Sequence, residues 1–195
     1  QLVNRQAAAY PFELYELPGG FNPGLDAAWP GPDGYGYAGE TIDYEWVEIR
    51  TSGTPITGLS DDDYEGPFNV GFTFPFYTTN QTQFYVSSNE HIDLGAGSTS
   101  LSNQCPLPNS TTPNNLIPLM WDDLLPNYST GGLYYQSFPV CPVGAGACLV
   151  VESYNWIHYG GGTAGAFESL LFENGSIAMQ FLDPGAELGS GSTTG

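Results

Sequence analysis

The chain has 195 residues, 41% hydrophobic and 14% aromatic, with two basic and 21 acidic side chains and a formal net charge of −19. That apolar content supports one sizeable core and excludes an acidic disordered chain, while the charge excludes nucleic acid and anionic membrane surfaces as partners. No apolar run approaches the roughly 20 residues of a membrane span, so no membrane insertion is expected, and 26 glycines with 16 prolines disfavour long helices.

Residues 1–20 read as an N-terminal extension, and the numbering is expected to start at a mature or trimmed end. Within it Tyr10, Phe12 and Leu14 alternate with Pro11, Glu13 and Tyr15, the period-2 pattern of an edge strand that can be donated to a neighbour. Pro18-Gly19-Gly20 breaks it, and residues 21–195 form one domain that opens on a Gly/Pro/aromatic loop. Tyr44 to Ile49 predicts a strand with Tyr44, Trp46 and Glu48 on one face. Asn69 to Tyr77 places Val70, Phe72, Phe74 and Phe76 on one side, and Gln83–Ser87 and His91–Leu94 follow as strands. Leu116 to Trp121 is a continuous apolar run, as in a strand buried on both faces. Leu133–Gln136 and Leu149–Tyr154 flank a turn; Ala166–Phe172 and Ser176–Leu182 flank Asn174-Gly175, a strong hairpin signal. About ten strands and no helix predict a single all-β domain, an antiparallel β-sandwich of jelly-roll-like type.

Three features point outside the cell. Glycosylation acceptor sequences stand at Asn80, Asn109, Asn127 and Asn174. Cys141 and Cys148 bracket a turn-like stretch that suits a hairpin-closing disulfide and not a zinc site. Cys105 is left over, which points to a partner on another chain or beyond this one.

Motifs for chemistry are sparse. Gly34–Gly39 and Gly160–Gly165 match G-x-G-x-x-G without the βαβ context a phosphate site needs, so both read as loops. Asp61-Asp62-Asp63-Tyr64-Glu65-Gly66 holds the front half of a calcium loop, with Asp61, Asp63 and Glu65 as ligands; Phe72 stands where the bidentate Glu belongs. A solvated acidic turn is the competing reading. Asp122 and Asp123, adjacent on an extended chain, face opposite ways and form no catalytic dyad. His91 and His158 have neither G-x-S-x-G nor H-E-x-x-H around them, so no enzyme is expected. Trp156 and Tyr159 lie in an aromatic stretch that can stack on sugar rings or fill the core.

The stretches LSDDDYEGPFNVGFTFPFY (59–77), QFYVSSNEHIDLG (83–95), TTPNNLIPLMWDDL (111–124), CLVVESYNWIHY (148–159) and FESLLFENGSIAMQFLD (167–183) resemble, in order and spacing, the secreted bacterial nidogen-like β-sandwich modules. Such modules occur in surface proteins and beside subtilisin-like protease domains. The resemblance implies an extracellular adhesive or architectural role. Ser87-Ser88-Asn89-Glu90 departs from the family's Ser-Ser-Asn-Gly, and the chain stops at Gly195 where the family continues into a last strand. Two functions follow as expectations. The first is a glycosylated structural subunit that self-associates into a homopolymer or filament by strand exchange. The second is a glycan- or surface-binding adhesive module from a larger protein.

Overall fold

The structure is a computed structural model that describes residues 32–39, 42–105, 107, 108 and 110–183. Ten strands lie within them: β1 Thr54–Ile56, β2 Tyr64–Phe76, β3 Thr79–Ser87, β4 His91–Asp93, β5 Leu116–Pro118, β6 Leu124–Leu125, β7 Gly132–Phe138, β8 Cys148–His158, β9 Thr163–Phe172 and β10 Ile177–Asp183. The expected all-β class is borne out. One sheet runs β2-β3-β4-β5 and the other β1-β7-β8-β9-β10, every pair antiparallel. Where β7 stops at Gly132, opposite Tyr154, the short β6 takes over against Ile157 and His158.

The principal core lies between the sheets. Val70, Phe74 and Phe76 from β2 and Phe84 and Val86 from β3 meet Leu133, Leu149, Val151, Trp156, Phe167 and Leu171 from the facing sheet. Period-2 alternation brings these side chains to one face. Gly71 permits the close approach of β2 and β7: its φ is +92°, and a Cβ there would fall 2.7 Å from Cβ of Ser137. Ser137 Oγ in turn donates to the Val70 carbonyl at 2.7 Å.

A second core covers the outer face of the larger sheet, where Val47 and Ile49 pack with Cys148, Val150, Leu170, Phe172 and Ala178. Here the sequence expectation is corrected. Residues 44–49 are extended but lie in no strand pair among the described residues. The segment crosses the sheet as a strap, and side chains hold its backbone. Glu45 N–H donates to Gln180 Oε1 at 2.7 Å, Val47 N–H to Glu168 Oε1 at 3.0 Å and Ile49 N–H to Glu152 Oε2 at 2.9 Å. Alternate amides thus step across β10, β9 and β8, and the chain then turns into β1 on β7. The apolar run Leu116–Trp121 is also shorter as a strand than its sequence suggests. Only Leu116–Pro118 pairs with β4, while Leu119, Met120 and Trp121 are buried beyond it, Trp121 at an isolated bridge.

Candidate functional site

The acidic loop between β1 and β2 lies at one end of the sandwich. Asp63, expected as a metal ligand, spends its carboxylate on the turn: Oδ2 accepts from the Ser60 amide and hydroxyl, and Oδ1 from its neighbour Tyr64 N–H. Those bonds hold its pKa below the usual carboxylate value, the Tyr64 amide foremost. The carboxylates that converge are Asp61, Asp62 and Asp123, with oxygens within 4.8 Å of one another. Of the trio expected from spacing, Asp61, Asp63 and Glu65, Asp61 alone belongs to this cluster, whose third member, Asp123, comes from the segment before β6. Asn89 Nδ2 donates to Asp62 Oδ1 at 3.0 Å and anchors that side chain. Burial and then the charges of Asp62, Asp61 and Asp122 push the Asp123 carboxyl up. An all-oxygen set of this kind suits a hard divalent cation, and solvent serves its exposed members equally.

Beside it, His158 Nδ1 stands 3.5 Å from Asp122 Oδ2. The other histidine is buried. His91 Nδ1 lies 2.9 Å from Asp93 Oδ1, and its Nε2 lies 3.4 Å from the Ser100 carbonyl, which also accepts from Trp121 Nε1 at 2.8 Å. The recorded partners of His91 are thus a carboxylate and a carbonyl, an arrangement that fastens the 95–100 loop and presents no nucleophile to the ring.

The turn Ser87-Ser88-Asn89-Glu90 is enclosed throughout, and Glu90 takes a positive φ, +57°, a conformation that favours glycine. Its side chain crosses to the other sheet and accepts from Ser153 Oγ at 2.7 Å. Burial pushes its pKa up to about 8. Two further carboxyls are enclosed beneath the strap. Glu168 is raised to about 9 and Glu152 to about 7, in each case by burial first. Sequence reading singled out Glu90 only as a departure in its turn and passed over Glu152 and Glu168. The available signal was a Glu set inside an apolar run, as in CLVVESY and AFESLLF.

Trp156, expected as a stacking surface, is corrected: it is fully buried and its indole N–H donates to the Ser88 carbonyl at 3.0 Å. Tyr159 is 59% exposed. The Cys141–Cys148 disulfide is formed, and Cys105 is an exposed free thiol. Asn80 and Asn174 are exposed, whereas Asn127 is half-buried and its amide is engaged. Tyr10, Phe12, Leu14 and Asn109 lie outside the described residues. No helix among the described residues is long and apolar enough to cross a membrane.

The family described as NIDO related, the nidogen-related modules, matches residues 35–195, and the chain belongs to it. No curated protein and no solved structure matches the chain.

Proposed function

We propose that this domain is a non-catalytic structural subunit of an extracellular polymer, joined to its neighbours by strand addition and carrying N-linked sugars. Membership of the nidogen-related family supports an extracellular module, as does the disulfide. A net charge of −19 keeps such a module soluble outside specific contacts.

The observation that carries the assembly reading is the contrast between the two long strands that end the sheets. β2 holds Pro67 and Pro75 and two register shifts against β3, devices that guard an edge against foreign pairing. β10 has β9 as its one neighbour among the described strands, and its Ile177–Gln180 stretch holds no proline, glycine or charge. The occupant proposed for that edge is the Tyr10–Leu14 segment of another copy, whose alternation suits β-augmentation. A head-to-tail contact of this kind propagates unless it closes into a ring. The alternative, a glycan-binding adhesive module, loses Trp156 as a stacking platform. Calcium, the one cofactor suggested by sequence, would be held by Asp61, Asp62 and Asp123.

Electron microscopy and sedimentation of secreted material test the assembly reading. Filaments are expected from the full chain, and folded monomers after deletion of residues 1–17. Unchanged assembly after the deletion, or a full chain that stays monomeric, overturns it.

A further inference from the structure

Three of the four glycosylation sequences lie within the described residues, and their surroundings differ. Asn80 is exposed at the start of β3. Asn127 is committed to the fold: its Nδ2 donates to Thr130 Oγ1 and to the Asn155 carbonyl, both at 2.9 Å, while its Oδ1 accepts from Ser129 Oγ at 2.8 Å. Both amide hydrogens of Asn127 are therefore in use.

Asn174 differs from both. Its Oδ1 accepts from the Ser176 amide at 2.9 Å, so Nδ2 projects from the opposite side of the amide. Asn174 also lines a half-open cavity of about 240 Å³ on the outer face of the larger sheet. Phe172, Val143 and Gly144 give that cavity an apolar side; Asp43 and Glu45 of the strap segment give it carboxylates. Gly144, with φ +80°, lets the 142–147 loop approach Phe172 closely, since a Cβ there would come within 3.2 Å of Phe172 Cε1. The Cys141–Cys148 bond holds the 142–147 loop in place as one wall. An apolar face opposite hydrogen-bond acceptors, with an acceptor asparagine on its rim, matches the two-sided chemistry of an N-acetylated hexose.

We propose that Asn174 is N-glycosylated and that the innermost sugar seats in this cavity, its C–H face on Phe172 and Val143 and its hydroxyls toward Asp43 and Glu45. The inference rests on the extracellular reading above. Transfer forms the bond between Asn174 Nδ2 and the anomeric carbon of a lipid-linked sugar phosphate. The carbon–oxygen bond to that phosphate breaks, the electron pair leaves with the phosphate, and Nδ2 gives up one proton to a base of the host transferase. Ser176, part of the recognised sequence, is 2% exposed once folded, so transfer precedes closure of the β9–β10 hairpin.

The test uses the full chain secreted from a glycosylating host. Peptide mass spectrometry is expected to find Asn174 occupied and Asn127 largely bare. Trimming with an endoglycosidase that leaves the innermost sugar should leave Tm and the slow amide exchange of residues 142–147 unchanged. Complete removal with an amidase, which leaves Asp at 174, should lower Tm by several degrees and speed that exchange relative to the trimmed protein, by more than the difference between the unglycosylated Asn174→Asp and Asn174→Gln variants, which isolates the new charge. Asn174 bare while Asn80 is occupied overturns this inference and leaves the glycoprotein reading intact. Equal Tm and exchange with and without the innermost sugar overturns the seating. No sugar at any sequence overturns both readings.

Discussion

Glu152 and Glu168 stand directly opposite one another on β8 and β9, both fully enclosed, and each accepts a backbone N–H from the same crossing segment. Gln180 extends the row on β10, where its Nε2 donates to Glu168 Oε1 at 2.9 Å and to the Glu45 carbonyl at 2.8 Å. At the other end Arg50 Nε approaches Glu152 Oε1 at 3.2 Å, with its guanidinium 3.9 Å above the Tyr154 ring and bonded to Glu48. Two carboxyls side by side in a low-dielectric layer cannot both ionise cheaply, so the row holds together best with Glu168 protonated.

The pH dependence of stability follows. Unfolded glutamates ionise near pH 4.5, whereas Glu152, Glu90 and Glu168 do so at about 7, 8 and 9 in the fold. Between these limits the folded state keeps protons that the unfolded chain releases, so stability falls as pH rises from about 4.5 to 9. Asp33, Glu48 and Asp63, held below their usual values at the surface, act oppositely and only below about pH 4. Urea midpoints should therefore peak near pH 5 and decline toward pH 9. The Glu168→Gln variant should be more stable than the wild type at pH 9 by about 1–3 kcal/mol and flatten the profile. A profile that rises from pH 5 to 8 would refute this account.

The two aromatic residues read together from sequence should separate sharply on mutation. Trp156→Ala removes a fully buried indole and its bond to Ser88, and should cost about 3–5 kcal/mol by urea unfolding. Tyr159→Ala, at an exposed position, should stay within about 0.5 kcal/mol.

Reduction of the Cys141–Cys148 bond frees a loop of sequence separation 7. The chain-entropy relation gives a loss of about 2.5 kcal/mol, and the loop walls part of the second core. Unfolding with and without reductant measures it, and the Cys141→Ser/Cys148→Ser double variant should match the reduced protein.

At the acidic end, Asp123→Asn removes one of three crowded carboxylates. It should raise Tm by about 2 °C at low ionic strength, an advantage that shrinks as salt is added. Millimolar calcium should raise the Tm of the wild type and leave that of the variant nearly unchanged. Equal calcium responses would remove Asp123 from the set.

Local chemistry determined much of this molecule. Alternating apolar residues in 69–77 and 176–182, the Asn174-Gly175 turn and the short spacing of Cys141 and Cys148 each encode a hairpin or strand within a few residues, where period and turn geometry suffice. What required the tertiary structure was every relation between distant residues. Residues 44–49 carry the period of a strand, yet their amides are satisfied by side chains more than 100 positions away, a pairing no periodicity reveals. Asp123 joins Asp61 and Asp62 only because β6 is laid against the far end of β8. Trp156 and Tyr159 share one aromatic stretch and take opposite fates, since the choice between core and surface is made by the facing sheet and not by the residue type.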